Sequence, residues 1–85
     1  MRFVDKATQV EIGFDSDGLP MPRAFTWQGR RLEISDWGRR WEEKGDQSAR
    51  HFLIMVAGGN RFELVQHVAS GQWRVVRVWE PSAVV

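Results

Sequence analysis

Polar and apolar residues alternate with a period of two along most of this chain, and that period predicts strands. Val10, Ile12 and Phe14 alternate with Gln9, Glu11 and Gly13, so Thr8–Phe14 reads as a half-buried strand. Asp15-Ser16-Asp17-Gly18 then reads as a turn, with Asp carboxylates able to bond nearby backbone and Gly free to take positive φ. In Leu19-Pro20-Met21-Pro22 the two prolines remove backbone donors, which predicts a connector or a sheet edge. The clearest signal follows in Arg23–Trp41. Phe25 and Trp27 alternate with Ala24, Thr26 and Gln28; Leu32 and Ile34 alternate with Arg31, Glu33 and Ser35. A two-residue turn at Gln28-Gly29 pairs Trp27 with Arg30 and Phe25 with Leu32. It sets Phe25, Trp27, Leu32 and Ile34 on one face, whereas a one-residue slip would oppose Phe25 to Glu33.

Ser35–Lys44 fits two readings. Ser35 can cap a short helix ended by Gly45, with Trp37 and Trp41 one turn apart, or the strand continues past a bulge at Gly38. The alternation running into the segment favours a bent strand to about Trp41, with Glu42–Arg50 as a polar loop. His51–Ala57 is a nearly continuous apolar run, expected of a central strand. Gly58-Gly59-Asn60 is a hairpin turn. Arg61–Ala69 alternates, with Phe62, Leu64 and Val68 opposite Glu63 and His67, and Ser70-Gly71-Gln72 turns the chain again. Trp73–Trp79 is the last strand, with a bulge expected at Val75-Val76 and an end at Pro81. Residues 1–7 show no clear period and, with the tail Ser82–Val85, are expected to fray. The sum is one small all-β domain over residues 1–85: an antiparallel meander of five or six strands curled into a small barrel or half-barrel, which hides sheet edges best.

Composition sharpens this picture. Eighty-five residues make one domain, and a chain this short buries only roughly 60–65% of its unfolded surface. With no cysteine, neither a disulfide nor a thiolate metal site can add stability. Five Trp and five Phe are the main apolar reserve. Each buries about 150–250 Å² when fully covered, which makes most of them candidates for the core. The net charge of +1 gives no strong pull on nucleic acid or acidic membrane, but ten of the twelve cations are Arg, which forks to phosphate and stacks on aromatics. No apolar run is long enough for a membrane span and no signal peptide opens the chain, so the expected location is cytoplasmic and no membrane partner is expected.

The chemistry tests exclude more than they assign. His51 and His67 show no metal-ligand spacing, and a strand histidine with a backbone partner is the better expectation for each. Asp15-x-Asp17-Gly18 begins like a calcium loop. Aligned on its glycine, however, it puts Gly13 at the first ligand position and Ala24 at the bidentate one, so a turn is the better reading. There is no Gly-x-Ser-x-Gly elbow, and Gly58-Gly59 lacks the sequence that phosphate binding needs. No catalytic residue, metal or cofactor is expected, and the protein reads as a non-enzyme.

The order of motifs is more specific than any single one. An alternating strand leads to Asp17-Gly18-x-Pro20, then to Phe25-x-Trp27-x-Gly29-Arg30 and x-Leu32-x-Ile34. Trp41 and an apolar strand follow, then Phe62-Glu63-Leu64 and Trp73-Arg74-Val75-x-Arg77-Val78-Trp79-Glu80. This order, over roughly Val10–Glu80, resembles a family of small bacterial domains of unknown function. They occur alone or appended to the C-terminal end of Y-family DNA-polymerase-like proteins of the translesion mutagenesis complex. The resemblance implies an accessory role near DNA-damage tolerance and carries over no catalytic residue.

Binding therefore remains, in two forms. In the first, the module contacts single-stranded nucleic acid through Arg30, Arg31, Arg39, Arg40 and Arg77 with Trp37, Trp41 and Trp79. Trp37, Arg39 and Trp41 share a face of a regular strand, as do Trp73, Val75, Arg77 and Trp79, and an Arg beside Trp can stack by cation–π contact. In the second, an aromatic patch or edge strand docks a DNA-polymerase-complex protein or another copy of the chain. Burial of the tryptophans decides between core and stacking surface: Trp27 and Trp73 are the expected core residues, and Trp37 and Trp41 the expected exposed ones.

Overall fold

The structure, a computed structural model, describes residues 1–81; the expected tail at Ser82–Val85 lies outside the described residues. Seven strands form an antiparallel sheet: β1 (Arg2–Thr8), β2 (Val10–Phe14), β3 (Pro20–Trp27), β4 (Arg30–Glu43), β5 (Ala49–Val56), β6 (Arg61–His67) and β7 (Trp73–Trp79). Their order is β1-β7-β6-β5-β4-β3-β2. The two ends of that order are neighbours in the chain, because only Gln9 separates β1 from β2. At this corner the Thr26 amide donates to the Gln9 carbonyl (3.1 Å) and the Thr8 hydroxyl to the Thr26 carbonyl (2.6 Å). One bent strand thus bridges the ends of a curled half-barrel, a common way for a strand to pass from one part of a sheet to another.

The Gln28-Gly29 turn has positive φ at both residues (51° and 76°), and the register is Trp27 to Arg30 and Phe25 to Leu32, as the alternation predicts. This primed turn twists in the same sense as the strands that it joins. Phe25 and Ile34 enter the core, with Trp27 and Leu32 packed against it. The far wall of the core is the inner face of β5–β7: Phe52, Ile54, Val56, Phe62, Leu64, Trp73, Val75 and Val78. Phe62 sits at its centre, edge-on to Phe25 (ring centroids 4.9 Å) and to Trp27 (5.5 Å), an arrangement that adds to plain burial.

Three expectations need correction. Residues 1–7 do not fray: β1 pairs with β7 from Arg2–Val78 to Thr8–Trp73. Its order comes from that ladder and from Arg74, which donates to the Asp5 carboxylate (2.6 Å) and carbonyl (2.8 Å) where Asp5 bulges at φ 46°. None of this shows as alternation. The strands also run further than the polar pattern suggests. Pro20 and Pro22 lie within β3, β4 continues to Glu43, and β5 starts at Ala49. Val68 lies beyond β6 and is exposed rather than facing inward with Phe62 and Leu64.

Candidate nucleic-acid interface

Strand bulges decide which side chains meet. β4 gains an extra residue against β5 between Ile34 and Asp36, and another between Trp37 and Arg40. Directly paired residues share a face. Trp37 therefore stands with Ile54 on the inner side and Arg40 with Phe52, while Trp41 stands with His51 on the outer side. The expected common face of Trp37, Arg39 and Trp41 is broken by this second bulge. The expected bulge in β7 is present at Val76: Leu64 pairs with Val75 and Glu63 with Arg77. Trp73 and Val75 consequently face inward and Arg77 and Trp79 outward, so those four residues do not share a face either.

The result is an outer surface with two Arg–Trp pairs. The Arg39 guanidinium lies 5.2 Å from the Trp41 ring centroid, and that of Arg77 lies 5.3 Å from the Trp79 ring centroid. Between them runs a groove of about 420 Å³, floored by Leu53 and Met55. Trp79 lines it from the outer face and Trp37, with Ile54, from the inner side beside the Gly38–Arg39 bulge; Asp36, Arg39 and Arg61 are its charged groups. No ion pair among the described residues involves Asp36, Arg39 or Arg61. Trp37 is 38% exposed and held in place by its indole N–H, which donates to the Pro22 carbonyl (2.7 Å). Trp41 and Trp79 are half-buried, Trp73 is buried, and Trp27 is half-buried against the core. Trp41 carries both His51, stacked on it, and the Arg39 guanidinium, and the Arg23 guanidinium lies 5.9 Å from the Trp37 ring centroid, so Trp37 and Trp79 at the groove hold the ring surface nearest a ligand.

Beneath this surface lies a buried polar network absent from the expected set. Glu63 is only 3% exposed, the one buried charged residue among the described residues. Its carboxylate accepts from Arg77 and lies 2.9 Å from His51 Nδ1. His51 in turn stacks on Trp41, with centroids 4.8 Å apart and planes 10° from parallel. The expected backbone partner of His51 is replaced by this carboxylate. Its Nε2 lies 3.2 Å from the Glu43 carboxylate without the alignment of a hydrogen bond. Trp41, His51, Glu63, Arg77 and Trp79 therefore form one chain of contacts across four strands, fixing both stacking rings from below. His51 Nε2 is the one atom of this network that is buried without a hydrogen-bond partner among the described residues. Among the described residues no group of three or more His, Cys, Asp or Glu is placed to hold a metal ion.

The remaining expected residues lie elsewhere. Arg30 and Arg31 are at the hairpin turn, away from the groove. Arg31 is bound to Glu11 and, at 3.0 Å, to Glu33. The bond from Glu11 raises its pKa above the ordinary guanidinium value, and the same bond lowers that of Glu11. Its charge is spent inside the molecule. Arg40 reaches Asp15 (3.1 Å) on the inner side. The Asp15 carboxyl is held below its ordinary pKa by the Leu19 amide first, then by the Asp17 amide and Arg40. Sequence reasoning did not find Asp36, Leu53, Met55 and Arg61, which reach the groove only through cross-strand register. The one available signal was Glu63 between Phe62 and Leu64, a carboxylate between two apolar residues of the strand. No helix of the described residues is long and apolar enough to cross a membrane. Compared with protein families, curated proteins and solved structures, the chain matches none, and its site is read from its own residues.

Proposed function

We propose that this domain is a non-catalytic module that binds single-stranded nucleic acid across the outer face of β4–β7. The observation that carries the reading is the groove lined by Trp37 and Trp79 with Arg39 and Arg61 beside them, both free of carboxylate partners among the described residues. Bases stack on indole faces at about 1–3 kcal/mol each, and unpaired guanidinium groups take the phosphates. A net charge of +1 makes affinity depend on this local arrangement rather than on the overall field. The resemblance to domains appended to translesion-polymerase-like proteins supplies the context: an accessory role in DNA-damage tolerance, where single-stranded template is exposed. Tryptophan fluorescence titrated with single-stranded oligonucleotides is the test. Quenching that weakens with salt supports the reading; absence of binding at low salt ends it.

A second reading, a protein-interaction module, is favoured by the β2 edge. Ile12 (45% exposed) and Phe14 (63% exposed) lie on an edge strand whose only charge is Glu11. Edges of this kind recruit another strand, from a polymerase-complex protein or from a second copy. Sedimentation of the wild type beside Phe14→Lys separates the two readings: a dimer lost on substitution favours the edge, and a monomer in both removes self-pairing.

A further inference from the structure

We infer that the groove between Trp37 and Trp79 is a slot for one unstacked guanine, with Asp36 as the residue that selects it; this rests on the single-strand reading above. Asp36 is exposed, pairs with Met55 on the outer face, and is the only acidic side chain lining the groove. Neither an ion pair nor a side-chain hydrogen bond engages it among the described residues, unlike Asp5, Asp15 and Glu63, whose carboxylates are all used within the protein. A carboxylate in a phosphate-binding surface repels the backbone that it must approach, so its place beside Arg39 and Arg61 calls for a ligand with donors. Bases in single strands are read on their Watson–Crick edges once unstacked. Guanine alone presents two adjacent donors there, N1–H and the 2-amino group, and they match the two oxygens of one carboxylate. Cytosine and adenine place an acceptor beside their amino group, and thymine flanks its single donor with two carbonyls, so each opposes one carboxylate oxygen.

The surroundings fit that occupant. About 420 Å³ lies within the roughly 300–1,000 Å³ of small-ligand sites. Leu53 and Met55 give an apolar floor, the Trp rings give stacking faces, and two guanidinium groups against one carboxylate leave a charge of +1 for the neighbouring phosphates. Both walls are fixed before any ligand arrives, Trp37 by Pro22 and Trp79 by the Arg77–Glu63 contact, which lowers the cost of ordering on binding.

The test is anisotropy of labelled oligo(dT) carrying a single central guanine, inosine or thymine, with wild type, Asp36→Asn and Asp36→Ala. Asp36 is exposed, and an unchanged urea midpoint confirms that each variant folds. The expected result is guanine bound about tenfold tighter than thymine. Inosine, which lacks the 2-amino group, falls between them, and both substitutions abolish the preference while retaining salt-dependent binding. Equal affinity for the three strands, or a guanine preference that survives Asp36→Ala, overturns the guanine slot and leaves single-strand binding standing. If none of the three strands binds at low salt, the single-strand reading fails and the slot with it.

Discussion

Arg39-Arg40-Trp41 and Arg77-Val78-Trp79 are the same short pattern on two strands, with cation–π distances that differ by only 0.1 Å (5.2 and 5.3 Å). They nevertheless do different work. Arg77 is anchored to the buried Glu63, so its charge is neutralised within the protein and its role is to hold Trp79. Arg39 is exposed and has no carboxylate partner among the described residues, so its charge remains for a ligand. An arginine beside a tryptophan is thus no binding signature by itself. What lies on the opposite strand decides: Glu63 pairs with Arg77, whereas the bulge at Gly38–Arg39 leaves Arg39 without a cross-strand partner.

The strongest way to break this contrast is Glu63→Ala. It strands the Arg77 guanidinium and the His51 imidazole over a low-dielectric site. Removing one partner of a fully buried pair costs about 3–5 kcal/mol, and because Arg77 is 30% exposed on its side chain the lower end, about 3 kcal/mol, is expected in urea unfolding. Glu63→Leu combined with Arg77→Met recovers most of that loss if the network is a pair and not a set of independent contacts. Trp79→Ala removes one stacking face of the groove, and affinity for single strands is expected to fall by about 1–3 kcal/mol in the fluorescence titration.

Arg39→Gln separates the two arginines directly. It leaves the urea midpoint within about 0.5 kcal/mol of wild type. It also lowers the slope of log affinity on log salt by about 0.7, one phosphate contact on a single strand. Arg77→Gln is expected to do the opposite, costing stability with the slope unchanged. Acid sharpens the same comparison at Arg40, whose partner Asp15 has a depressed pKa. The Asp15 contribution is complete above the ordinary aspartate value of about 3.9 and is lost as the pH falls through the lower, folded-state value. Urea midpoints of the wild type are expected to drop below about pH 4, and Asp15→Asn removes that part of the drop. The smallest effect belongs to Gly38→Ala. An added Cβ meets Leu53 at ordinary contact distance (3.5 Å to its carbonyl oxygen), so the bulge persists at a cost of about 0.5 kcal/mol or less.

The parts of the molecule that were legible in the sequence are those that local chemistry fixes. Gly29 requires a tight turn, the turn sets the register, and the register carries Phe25 and Ile34 into the core. The apolar run of β5 and the doublet at Val75-Val76 likewise announce a central strand and a bulge. What stayed hidden is set by partners distant in the chain. β1 reads as a charged, aperiodic segment because its order comes from β7, more than half the chain away. Trp37 is aligned with Trp41 by parity and parted from it by one extra residue at Gly38–Arg39, where the glycine marks a bulge as one reading of the segment. The groove is assembled from β4, β5, β6 and β7, so Asp36 and Arg61 look like ordinary surface charges until the strands are in register. Arg31 misleads for the converse reason: it looks available, yet Glu33 two residues along its own strand and Glu11 on β2, beyond β3, both hold it.

The single-residue corner at Gln9 has a consequence in time. Because β1 leads directly into β2 but pairs with β7, β1 waits for a strand made six strands later. Loop-closure entropy places such a pairing late, after the hairpins β3–β4, β5–β6 and β6–β7, whose partners are near in sequence. On the ribosome the inner face of β7 and the pairing edge of β1 stay unsatisfied until Trp79 has emerged. During that interval the nascent chain is a meander with an open flank, and closing that flank is the step on which a chaperone, a tethered domain or a second nascent copy would act.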